Sequence, residues 1–241
     1  MSSGHVAKDV RSYVSEDFDP GNWDEVERYT TELLNRKISC SKCIEGIIRD
    51  ASELSEHISE KGALLYIDMT CDTENENKKS LFLDFVENVR PKLSEFSDSL
   101  NRRIVGHEAV KDMSPRYDLM IRSMRNDVEI FRRENIPLGV EQTKLVTEAQ
   151  TINGAMSVEF KGREYTIPEM RIFLEANDRS VRESAWKAVA DRRMQDEERL
   201  SEIFDELVQI RGEIANNAGF ATYTDYMFRA MERFDYTKED C

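Results

Sequence analysis

The sequence predicts an all-α protein: a bundle of long amphipathic helices with one small β-hairpin at about residues 157–167. Three observations carry this. Apolar residues recur at steps of three and four through most of the chain, helix start and stop residues bracket those runs, and strict alternation occurs only once. The composition agrees, because ten Gly and five Pro among 241 residues leave few breakers, and 34% charged residues supply solvated helix faces.

The longest pattern, Asp178 to Phe220, reads as a single helix around which the rest is organised. Leu200, Ile203, Leu207, Ile210 and Ile214 form its stripe, widened by Phe204, Val208, Ala215 and Ala218. Asp178 is its N-cap, and Gly219 before the apolar Phe220 is a left-handed stop. Such a helix would span roughly 60 Å at 1.5 Å per residue.

Taken in order, residues 1–20 lack periodicity and read as a flexible leader. Asn22 caps a helix with Trp23, Val26, Thr30 and Leu33 inward. Ser39 caps a second, whose seam is Cys40, Ile44, Ile47, Ala51, Leu54 and Ile58 and which Gly62 ends. Ala63 to Met69 is a further short helix, and Asp72 to Lys79 a polar turn. Leu81 to Val110 repeats the seam at Phe82, Val86, Val89, Leu93, Phe96 and Leu100, with Pro91 kinking or splitting it. Pro115 opens a helix to Phe131 that turns Tyr117, Met120, Met124, Val128 and Phe131 inward. Pro137 to Val140 separates it from a helix over Glu141 to Ala155. Strands at Ser157–Phe160 and Arg163–Ile167 flank the turn Lys161-Gly162. Thr166-Ile167-Pro168-Glu169 is then a capping box for a short helix to about Ala176, and Thr222 caps another through Met231. Thr237-Lys238-Glu239-Asp240 is one more helix start with no helix after it, which suggests a chain cut short. The regions expected are the leader at 1–20, a helical region at 21–114, and a second at 115–241 that contains the hairpin.

A net charge of −14, from 34 basic and 48 acidic residues, disfavours phosphate backbones and anionic lipid surfaces. Neither nucleic acid nor a membrane is expected as a partner. With no apolar signal core near Met1, the expected location is the cytoplasm.

No residue is assigned a catalytic, cofactor-binding or metal-binding role. His107-Glu108-Ala109-Val110-Lys111 has the opening of a zinc-peptidase helix but Lys where the second His is required, and an ammonium has no lone pair for a metal. His5 and His57 have no Glu three residues before them. Cys40 and Cys43 form a C-x-x-C to which Cys71 and Cys241 add no second pair, so reduced structural thiols are expected. Glycine loops for phosphates and nucleophile elbows do not occur.

Several segments together resemble a known family. They are Ala63 to Thr73, the run Asn177-Asp178-Arg179-Ser180-Val181-Arg182, the run Ala218-Gly219-Phe220-Ala221-Thr222-Tyr223-Thr224-Asp225-Tyr226, and Arg233-Phe234-Asp235-Tyr236-Thr237. In order from about Trp23, the chain is similar to the N-terminal portion of oligoendopeptidase F, a thimet-type zinc oligopeptidase. The resemblance implies a helical bowl with a deep channel, one wall of it formed by this portion. A later catalytic part holds zinc on a His-Glu-x-x-His helix and a distal Glu, and cleaves oligopeptides. None of those residues stands in this sequence, so the chain alone is expected to bind no zinc and to be inactive. The alternative is a non-catalytic helical scaffold for protein interactions.

If a catalytic part covers the second side of the stripe from Leu200 to Ala218, with the N-terminal helices on the first, the isolated chain leaves apolar surface open. It should then self-associate or bind a hydrophobic dye, and Leu207→Asp should cost a few kcal/mol in urea melts. A monomeric, dye-silent chain in which Leu207→Asp is neutral would contradict this.

Overall fold

The structure is a computed structural model and describes residues 13–241. It is all-α with one antiparallel hairpin, as expected. The expected leader begins outside the described residues, and from Tyr13 onward a few of its residues contact the helices. Val14 is buried and donates its N–H to the buried Glu53 carboxylate at 2.9 Å, while Tyr13 and Phe18 meet Tyr29 edge-on. These apolar residues have no helical spacing, yet each finds a place on the neighbouring helices.

Helix α1 (Trp23–Asn35) starts on Asn22, whose side chain accepts from the Asp24 N–H at 3.1 Å, and buries Val26, Thr30 and Leu33. Helix α2 (Ser41–Cys71) differs from expectation at both ends. It starts one residue late, with Cys40 and not Ser39 as N-cap. At the other end it runs without interruption through Gly62 and absorbs the short helix predicted over Ala63 to Met69. Gly62 is a packing residue, because a Cβ there would lie 2.8 Å from Cε1 of Phe85. Its missing side chain makes room for an aromatic ring.

The polar turn shrinks to a few residues, since Asn75 caps α3 (Glu76–Asp84). The α-helical run is split just before Pro91, as expected. One π-helical turn at Phe85–Val89 leads into α4 (Arg90–Val105), which places Pro91 in the first turn, where its missing N–H costs little. The helix stops at Val105 rather than Val110, and Ala109 and Val110 are buried from a short 3-10 turn. Helix α5 (Asp118–Ile130) buries Ile121, Asn126 and Ile130. Met120, expected inward, is exposed, because the packed face is rotated by about one residue.

Helix α6 (Asn135–Gly154) includes Pro137 in its first turn and so removes the predicted separation at 137–140. Strands β1 (Ser157–Phe160) and β2 (Arg163–Thr166) pair Ser157 with Thr166 and Phe160 with Arg163. Lys161 (φ 51°) and Gly162 (φ 76°) make the two-residue turn. Thr166 and Glu169 form the capping box, with the Thr166 N–H donating to Glu169 at 2.8 Å, ahead of the single turn α7 (Arg171–Leu174).

The expected 178–220 helix is two helices, α8 (Arg179–Met194) and α9 (Glu197–Asn217). The break at Gln195-Asp196 falls where no residue from Asp191 to Arg199 is buried. Nothing there holds the helix straight while its two halves serve different cores. Ala185 and Val189 pack with Val158 and Met170, whereas Ile203 and Leu207 pack with Leu145 of α6. The stripe therefore lies against α6 and not against the N-terminal helices. Both predicted ends hold: Asp178 accepts from the Ser180 N–H at 2.8 Å, and Gly219 (φ 85°) lets Phe220 N–H reach Ala215 O at 2.9 Å. Helix α10 (Tyr223–Ala230) is capped by Thr222.

The largest core joins Val26, Leu33, Ile44, Ile47, Leu54, Ile58, Phe85, Val89, Leu100 and Ile104, and Ile121 of α5 shares it across the boundary expected at 114/115. Met69, Phe82 and Val86 form a smaller core beside it. In an open helix position Gly→Ala stabilises by about 1 kcal/mol. Gly62→Ala should instead lose about 1–3 kcal/mol by crowding Phe85, and Phe85→Leu in the same chain should recover part of it, as read by urea melts. A stabilised Gly62→Ala protein would contradict this packing.

Candidate functional site

The most strongly built polar surface is a cleft of about 800 Å³ between α5 and residues 229–237. Lys111, Arg122, Arg125, Arg229 and Arg233 line it, against Asp118 and Glu129 as the carboxylates. In a chain of net charge −14 this is a local reversal of sign.

Its geometry comes from two helix ends. Asn126, buried in α5, accepts from Arg229 Nε at 2.6 Å and donates its Nδ2 to Arg229 O at 2.9 Å. The same guanidinium pairs with Glu129 at 2.6 Å, which fixes α10 to α5. After α10, Glu232 takes a left-handed conformation (φ 53°) usually left to glycine, and Arg233 N–H closes the turn onto Phe228 O at 3.0 Å. Ser123 Oγ holds the Glu232 carboxylate at 2.8 Å. That turn delivers Arg233, Phe234 and Tyr236 to the cleft. The Arg122 guanidinium lies 4.2 Å from the Phe234 ring centre, and that of Arg233 lies over Phe228 and Tyr236. Nearby, partial burial pushes the Asp127 carboxyl up, and the charge of Glu232 adds to the shift.

Among the described residues, Lys111, Arg122, Arg125 and Arg233 have no carboxylate at ion-pair distance. Such a set can take a carboxylate or another oxyanion, with guanidinium forks giving paired hydrogen bonds. No one-dimensional motif marked it. The available signal was slight: Arg122 and Arg125 stand one turn apart on α5, and Arg229 of α10 precedes Arg233 by four residues.

The groups weighed from sequence lie elsewhere. His107 is the N-cap of the 3-10 turn at Glu108–Asp112, its Nδ1 accepting from Ala109 N–H at 3.1 Å, and Lys111 turns to the cleft. His57 meets the edge of Phe18, and His5 lies outside the described residues. Among the described residues no three His, Cys, Asp or Glu side chains converge as a metal site. Cys40 is off the apolar seam: it is exposed, and its Sγ stands 2.9 Å from that of Cys43. No helix among the described residues is long and apolar enough to cross a membrane.

Residues 16–131 match the family model Peptidase M3 N-terminal domain. No curated protein matches the sequence. Among solved structures, a protein described as an oligoendopeptidase F from Bacillus anthracis str. Ames superposes with a TM-score of 0.85 and 21% identity, over 93% of this chain and 42% of that one. PZ peptidase A, solved with an inhibitor, gives 0.85 and 21% over 95% of this chain and 41% of its own. The chain thus spans about two-fifths of the length of the structures it matches. By sequence residues 16–131 carry the Peptidase M3 N-terminal domain, and the chain around them has the fold of the N-terminal portion of oligoendopeptidase F.

Proposed function

We propose that this chain is the N-terminal part of a zinc metalloendopeptidase that hydrolyses peptide bonds in oligopeptides, and that it forms one wall of the substrate channel. The observation that carries the reading is the agreement of two comparisons, a family model over residues 16–131 and a fold shared over 93% of the chain. The zinc ligands and the general base lie outside this chain on this reading, and none of its residues takes a step in bond cleavage. What it contributes is shape and binding surface. The cation-lined cleft suits the carboxylates of a peptide or of a neighbouring part of the enzyme.

The outer face of α9 supports a further part of the reading. Phe204 and Val208 are more than half exposed there, and Trp186 and Met194 on α8 are similarly open. A catalytic part laid over this side would bury them, and the chain alone would self-associate through them.

The test is to extend the reading frame beyond Cys241 and assay the longer polypeptide. A downstream His-Glu-x-x-His, with turnover of a quenched oligopeptide that a chelator abolishes, is the expected result, while the 241-residue chain alone stays inactive. A longer polypeptide lacking that motif, or cleavage by the short chain itself, would overturn the proposal.

A further inference from the structure

We propose that Cys40 and Cys43 form a redox-active dithiol at the start of α2, which exchanges with small disulfides such as glutathione disulfide and closes an intramolecular disulfide. Their sulfurs stand 2.9 Å apart with both cysteines free, Cys40 exposed and Cys43 partly so. A covalent S–S distance is about 2.05 Å, so closure requires under about 1 Å of approach. The backbone is already suited to it. Cys40 is the N-cap in extended conformation, Cys43 follows in the first turn, and Cys43 N–H donates to Cys40 O at 3.1 Å.

The same position activates the sulfur. Cys40 makes no side-chain cap, and the pair stands at the N-terminus of a 31-residue helix, where the partial positive charge of the helix end favours a thiolate on Cys43. Hydrogen bonds from Cys40 and from Ser39 hold the Cys43 thiol down to about 6. Cys71 provides a contrast within one element. It is the last residue of the same helix, and it is exposed as well. Exposure alone therefore does not separate the three sites; the partner sulfur at 2.9 Å sets Cys40 and Cys43 apart.

In the exchange, the Cys43 thiolate attacks one sulfur of glutathione disulfide, forming a mixed disulfide and releasing one glutathione thiolate. Cys40 loses its proton to solvent, and its thiolate attacks Cys43 Sγ and expels the second glutathione thiolate. Two electrons pass from the dithiol to glutathione disulfide, and excess glutathione runs the steps backwards. This chemistry is independent of the peptidase reading.

The experiment equilibrates the reduced 241-residue chain in glutathione buffers of varied ratio, quenches with acid, alkylates, and maps the peptides by mass. The expected result is loss of two hydrogens confined to the peptide holding Cys40 and Cys43, reversed by glutathione, with Cys71 and Cys241 alkylated throughout. Cys40→Ser should trap the glutathione adduct on Cys43. Iodoacetamide at neutral pH should modify Cys43 roughly ten-fold faster than Cys71. Serine is a good N-cap, so helical circular dichroism should survive the change and show that the trapped species is folded. Adducts forming on Cys71 and Cys241 as fast as on the pair, or a pair that stays reduced in excess glutathione disulfide, would overturn the proposal.

Discussion

The ring of Phe85 lies on Gly62, and the N-terminal packing depends on that contact. It lets α2 pass a bulky side chain without bending, so one helix carries Ile44, Ile47, Leu54 and Ile58 into the large core and Met69 into the smaller one. The π-helical turn at Phe85–Val89 serves the same end. Its extra residue aims Phe85, Val86 and Val89 inward together, and the two cores share the walls α2 and α3–α4. Polar ties then lock the periphery: Arg36 pairs with Asp50 at 2.5 Å, and Arg103 donates to Leu33 O at 3.1 Å and also to Arg36 O. These bonds join α1, α2 and α4 at the end opposite Gly62.

Much of this was legible in the residues. Caps written by one or two side chains held, as at Asn22, Asp178, Thr222 and the pair Thr166 and Glu169, because a cap is a local hydrogen bond needing no knowledge of the fold. The hairpin held for the same reason. Expectation and structure part where a residue with a usual local meaning is put to a tertiary use. Gly62 looks like a stop and is a seat for a ring. Pro137 looks like a breaker and sits in a first turn, where a missing N–H is harmless. The unbroken run from Asp178 to Phe220 departs in the other sense. Its helix propensity is continuous, but its buried residues address two separate cores, and the chain turns at Gln195-Asp196 between them.

The candidate site was less legible than the fold. A cleft made by two sets of arginines more than a hundred residues apart has no sequence spacing that joins its halves, and its aromatic members arrive only because Glu232 accepts a left-handed turn. The cysteine pair was visible, yet its meaning rested on one residue of helix register. With Cys40 on the seam the thiols are small hydrophobes; with Cys40 as the N-cap they meet in solvent at the positive end of a dipole. Helix boundaries are poorly fixed by residue pattern, and here the boundary decides between packing and chemistry.

Native-state hydrogen exchange across α2 tests most directly whether one uninterrupted helix binds the two cores. If it does, amides from Ile44 to Met69 on the buried face exchange only through global unfolding, with one common free energy and equal urea dependence on both sides of Gly62. Faster exchange with a shallow urea dependence from Ala63 onward would show a second, independently opening helix and would contradict the account.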